Sequence, residues 1–173
     1  MNRPETPRGE TRLSPTLAEI AFALLTEGCC GDTCPEAIWL ESQSGGLATA
    51  EGSLDLPALL SAWNARPPPF DRLLHALAAY QQLSLAETLA LALGRAAELL
   101  PMAARALIWL QHPVGEARPT VGLIASLCER FGDGDVLVSL ADGPARRHGM
   151  IRLHPDERPL CERSVRVAQP LLF

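Results

Sequence analysis

The chain contains no lysine: all fifteen of its basic residues are arginine. That absence removes two kinds of chemistry. No Schiff base can form with a carbonyl substrate, and no phosphate-binding loop of the GxxxxGK[ST] type can be completed. No GxSxG or HExxH run is present either, and the four histidines (His75, His112, His148, His154) stand isolated in the sequence. Catalysis is not expected within these residues. No uncharged apolar run reaches the roughly 18 residues of a membrane span. Aromatic residues are few, at 5%, while the apolar fraction is 47%. That fraction is dominated by alanine and leucine rather than β-branched residues, which favours helix over sheet.

Cysteine is sparse and odd in number. Cys29, Cys30, Cys34, Cys128 and Cys161 form no pattern of disulfide pairs, which suits a reduced, cytoplasmic setting. Cys29, Cys30 and Cys34 lack paired CxxC knuckles, and adjacent cysteines rarely share one tetrahedral zinc ion, so unpaired loop thiols are expected. Asp133-Gly134-Asp135 is a fragment of a calcium loop without its downstream glutamate, and helix capping explains it better. Arg3, Arg8 and Arg12 followed by apolar residues resemble a secretion signal superficially. Pro15 and Glu19 interrupt the apolar stretch, and Glu27 occupies a place where a small residue would be needed.

Charge is uneven. The net charge is −5, and residues 1–66 hold four arginines against nine acids, while residues 67–173 hold eleven of each. Towards the end, Arg146, Arg147, Arg152, Arg158, Arg163 and Arg166 face only Asp156, Glu157 and Glu162. A locally basic tail on an acidic chain disfavours broad nucleic-acid binding and permits a local anionic contact. Arg146, Arg147, Arg152 and Arg166 are therefore the candidate partner or anion contacts.

The hydrophobic period places the elements. Ser14-Pro15 suggests an N-cap and first helical residue, followed by Leu17, Ile20, Ala21, Leu24 and Leu25 at helical spacing. Residues 28–53 are rich in Gly, Ser and Thr, with one short helix expected from Glu36 to Glu41. Asp55 reads as the cap of a helix ending near Trp63. Pro67-Pro68-Pro69 is a stiff spacer and divides the chain into an N-terminal helical segment, 1–66, and a second domain, 67–173.

Beyond it, residues 70–80 form one amphipathic face, Ser84 to Glu87 is a capping box, Pro101 opens a helix, and Thr120 caps another over 120–131. Asp133 or Asp135 caps a short helix through Leu140. Residues 150–153 and 164–167 then have β character. The expected fold is mainly α: helices closed by a small C-terminal β-hairpin, which is the winged-helix plan. Helix 120–131 would be its recognition helix, yet Arg130 is its only basic residue, poor equipment for reading bases.

Several strings resemble the N-terminal winged-helix region of bacterial AAA-type ATPases, including those of contractile injection systems. Arg118-Pro119-Thr120-Val121-Gly122-Leu123 is similar to an RPTV-x-L run. Leu83 to Glu87 is similar to an LS-x-x-E helix start, Glu98-Leu99-Leu100-Pro101 to PELDP, and Leu110-Gln111 to YLQ. Residues 147–153 and 159–167 resemble the two wing strands. The resemblance spans roughly residues 70–173. It implies a non-catalytic recognition domain that holds a protein partner or substrate near a motor. ATP, magnesium and a hexameric ring would belong to that motor, and no cofactor or metal is expected in this chain. A DNA-binding regulator on the same scaffold, or an adaptor without a motor, are the alternatives, and no membrane contact is expected. The apolar Leu171-Leu172-Phe173 is expected either to dock or to lead into further chain.

Overall fold

The computed structural model describes residues 14–26, 33–44, 46–47, 53–132, 135–154 and 157–172. These are mainly helical, with one small antiparallel ribbon near the C-terminus. Cys29, Cys30 and Asp133-Gly134 lie outside the described residues, as does the leader before Ser14.

Helix α1, Leu17–Thr26, starts two residues later than expected. Its cap is Thr16, not Ser14. The Thr16 hydroxyl accepts the Glu19 N–H at 3.1 Å, and the Glu19 carboxylate accepts the Thr16 N–H at 2.7 Å. This reciprocal box satisfies two donors that a proline-led start would leave open. Helix α2, Pro35–Ser44, is longer than the expected Glu36–Glu41, and its Trp39 meets Phe22 of α1 edge-on with centroids 5.1 Å apart. Helix α3, Leu56–Ala65, has the expected Asp55 cap, whose carboxylate accepts the Ala58 N–H.

The triple proline bends into a single 3₁₀ turn at Pro69–Asp71, and α4, Arg72–Gln81, follows directly. Helix α5, Leu85–Leu99, opens on the full Ser84/Glu87 capping box. It runs through the centre of the molecule, and Leu89 and Leu93 are completely buried. Leu17, Ile20 and Leu24 of α1 belong to the same apolar core as α5, so the segments on either side of the triple proline share one core.

Helices α6, Pro101–Leu110, and α7, Val121–Arg130, are joined by a loop that one side chain organises. The buried Gln111 amide donates to the carbonyls of Leu107, Glu116 and Arg118, and its oxygen accepts the Thr120 N–H at 2.7 Å. The Thr120 hydroxyl in turn caps α7 at the Leu123 N–H. Gln111→Ala strips all four partners and is expected to lower unfolding free energy by about 2–3 kcal/mol. Gln111→Glu should cost more, because a carboxylate would then face three carbonyl oxygens. Urea unfolding followed by circular dichroism checks both, and equal stability of the glutamate variant would contradict this role.

Helix α8, Val136–Asp142, and a single turn α9, Pro144–Arg147, lead into the ribbon. Asp135 stands at the head of α8 but makes no capping bond there. Strands β1, Ile151–Leu153, and β2, Val165–Val167, pair antiparallel, with Arg152 opposite Arg166. On its other side β2 touches residues 119–121: Thr120 bridges Ser164, Val121 N–H donates to Arg163, and Val165 N–H donates to Pro119. The stretch from Arg163 through β2 is thus hydrogen-bonded on both sides.

The ribbon presses on α5 at Gly94. A Cβ added there would lie 2.5 Å from Cγ2 of Val167. Real contacts are never that short, so glycine is what lets strand and helix meet. Leu171 packs against the core rather than projecting from it.

Candidate protein-docking surfaces

Among the described residues, six arginines have partners within the fold. Arg105 pairs with Glu36, Arg118 with Glu98, and Arg158 with Glu116. Arg95 lies 3.9 Å over the Phe70 ring, Arg163 donates to the Arg158 carbonyl, and Arg130 donates to the Leu24 carbonyl at the end of α1. This last contact matters for the expected recognition helix. The only basic side chain of α7 reaches back to α1.

Arg66 and Arg72 aside, the other described arginines are the four candidate contacts, Arg146, Arg147, Arg152 and Arg166. All four are exposed, and among the described residues none of their side chains makes an ion pair or hydrogen bond. Two of them come together. The bonds from His154 N–H to Ser164 and from Ala168 N–H to Met150 fix the ladder's phase. In that phase Arg152 and Arg166 form a hydrogen-bonded pair, with Cα atoms about 5.5 Å apart and side chains on one face. They line a shallow recess with Val167, Ala168, Gln169 and Pro170. Arg146 and Arg147 are not part of this recess; they sit on α9, ahead of β1.

α9 is held in place by a buried carboxylate from a distant part of the chain. Glu87 is completely inaccessible, and its Oε1 accepts the Ala145 N–H at 2.7 Å. Its Oε2 accepts from the Ser84 N–H and hydroxyl. One side chain therefore satisfies the N-termini of both α5 and α9.

The apolar surface has its own distribution. On α8, Leu137 is 50% and Val138 68% exposed, while Val136 and Leu140 are buried. Three consecutive apolar residues cannot all face inwards on a helix, so the run Val136-Leu137-Val138 was a readable sign of an outward apolar face. A second apolar area is the open recess beside the Glu36–Arg105 pair, which Ile108 and Trp109 of α6 line; Ile38 of α2 is also exposed. Glu36 is held below the usual carboxylate range by a backbone hydrogen bond at the start of α2 and by Arg105. A third is a groove lined by Leu73, Leu77, Leu91, Val167 and Leu171, between α4, α5 and β2. Neither this groove nor the recess at Ile108 was singled out from sequence.

Among the described residues, no group of three or more His, Cys, Asp or Glu side chains could hold a metal, and no helix is long and apolar enough to cross a membrane. Comparison of the chain with protein-family models, curated proteins and solved structures finds no match.

Proposed function

We propose that the chain is a winged-helix recognition module of a AAA-type ATPase, without catalytic activity of its own, that holds a protein partner or substrate beside the motor. The connectivity supports the winged-helix part: a bridging segment at 119–121, then α7, α8 and the β1–β2 ribbon. In a helix-turn-helix arrangement the second helix is the one presented to a ligand. With the 119–121 bridge taken as the first strand, α8 would be that second helix, where the sequence pointed to 120–131.

The observation that carries the reading is the outward face of α8. It presents Leu137, Val138 and Asp142 and contains no Arg, Asn or Gln, the residues that read base edges. Exposed apolar residues on the presenting helix suit a protein surface, whereas DNA would leave Leu137 and Val138 unburied against phosphates and repel Asp142. The ATPase context rests on the resemblance of the strings from Leu83 to Val167. The structure supplies physical roles for several of them: the capping box, the Gln111 clamp, the Thr120 cap and the Pro119–Val165 bond.

Two measurements test this. Titration of labelled duplex DNA at low salt is expected to show no saturable binding. Saturable binding lost in Arg146→Ala/Arg147→Ala would favour the DNA-regulator reading instead. The intact mass of the native polypeptide, detected with an antibody to this domain, is expected to include a nucleotide-hydrolysing module; a native species of about this length would remove the ATPase part and leave the adaptor.

A further inference from the structure

Arg152 and Arg166 are placed in an arrangement that costs the fold free energy. Like charges directly opposite on one sheet face repel each other; the register that sets them there buries Ile151 and Val165 on the other face and leaves both arginines exposed. Elsewhere the fold gives Arg105, Arg118 and Arg158 carboxylate partners. Glu157 and Glu162 lie in the same ribbon loop, yet neither forms an ion pair with Arg152 or Arg166. Among the described residues no carboxylate pairs with this positive face, on a chain whose net charge is −5.

We propose that this ribbon face binds an acidic, extended segment of a protein partner, whose carboxylates sit on the two guanidinium forks. The inference rests on the protein-recognition reading above and names the chemistry of the partner. Three features favour such a segment. Guanidinium groups grip carboxylates through two parallel hydrogen bonds, so two forks about one strand spacing apart match acidic residues on one side of an extended chain. The recess beside them is partly apolar, with Ala168 and Pro170 able to receive side chains between the acids, and Gln169 adds an amide. A nucleic acid is a poorer occupant, because the acidic chain as a whole opposes a polyanion whose charge extends well beyond two arginines.

The test uses the full chain and a short fluorescein-labelled peptide of alternating glutamate and leucine, read by anisotropy at low salt. The peptide is expected to bind, to weaken as salt rises, and to lose about tenfold or more in affinity in Arg152→Ala/Arg166→Ala, since two charge-assisted contacts disappear. Arg152→Lys/Arg166→Lys should fall in between, because it keeps the charge and loses the fork. Arg66→Ala, an exposed arginine outside the ribbon, should leave affinity unchanged. Binding that survives the double alanine substitution overturns the proposal, as does no peptide binding at all; neither result touches the α8 reading. Duplex DNA bound more tightly than the peptide through the same two arginines would overturn both.

Discussion

Replacing Glu87 with alanine is expected to destabilise the protein by about 3 kcal/mol, with loss of order concentrated at α9. The residue is completely buried and accepts three hydrogen bonds, from the Ser84 N–H, the Ser84 hydroxyl and the Ala145 N–H. The Ala145 donor is the critical one. It is buried, and alanine at 87 would leave it with neither a protein acceptor nor easy access to water. Some of that loss is offset because a buried carboxylate no longer has to be desolvated.

Glu87→Gln separates these terms. Both carboxylate oxygens accept a backbone N–H, one from each helix, whereas an amide supplies one acceptor and one donor. Whichever way it turns, its NH₂ group meets an N–H. Glutamine, though nearly isosteric, is therefore expected to cost about 2 kcal/mol, closer to alanine than its shape suggests. The neighbouring Gly143 closes the site further, since a Cβ there would overlap both Oε1 of Glu87 and the Ser139 carbonyl oxygen. Urea unfolding gives the free energies, and amide exchange at Ala145 reports the local effect. A glutamine variant as stable as the parent, with Ala145 still protected, would mean that the carboxylate does not hold α9.

Glu87 also illustrates what the sequence could and could not disclose. Its role in the capping box is legible, because Ser84 and Glu87 stand three residues apart before an apolar run. Its bond to Ala145 is not, because nothing local connects residues 58 apart. The same contrast holds for the surface. Helix positions followed from periodicity and caps at Asp55, Ser84, Pro101 and Thr120, and the two short β segments followed from alternation. The cap of α1 was misplaced, since Ser14-Pro15 and Thr16/Glu19 compete locally and the second satisfies more backbone donors.

The pairing of Arg152 with Arg166, against the separation of Arg146 and Arg147, depends on ribbon register, which charge counting does not reveal. The tie of Arg130 to the Leu24 carbonyl crosses the whole chain and was equally hidden. What the sequence offered on α8, three adjacent apolar residues, became meaningful only once Val136 and Leu140 were seen to fill the core and leave Leu137 and Val138 outside.

The opposite tolerance is expected at the second buried carboxylate. Asp71 is 2% exposed, and one oxygen, Oδ2, accepts both the Leu17 N–H at 2.7 Å and the Trp63 indole N–H at 2.8 Å. This single atom joins the start of α1, the end of α3 and the turn after the triple proline. Asp71→Ala leaves two buried donors unmatched and is expected to cost about 3 kcal/mol. Asp71→Asn should cost only about 1 kcal/mol, because its amide oxygen can take both donors and only the favourable charge at the α1 N-terminus is lost.

Conservative replacement is thus expected to be damaging at Glu87 and mild at Asp71, for one reason: the donors converge on two oxygens at the first and on one at the second. A double-mutant cycle of Asp71→Ala with Trp63→Phe should show about 1 kcal/mol of coupling, since removing the indole donor relieves part of the alanine penalty. Strictly additive effects, or an asparagine variant as unstable as the alanine variant, would show that Asp71 does not join these segments through that oxygen.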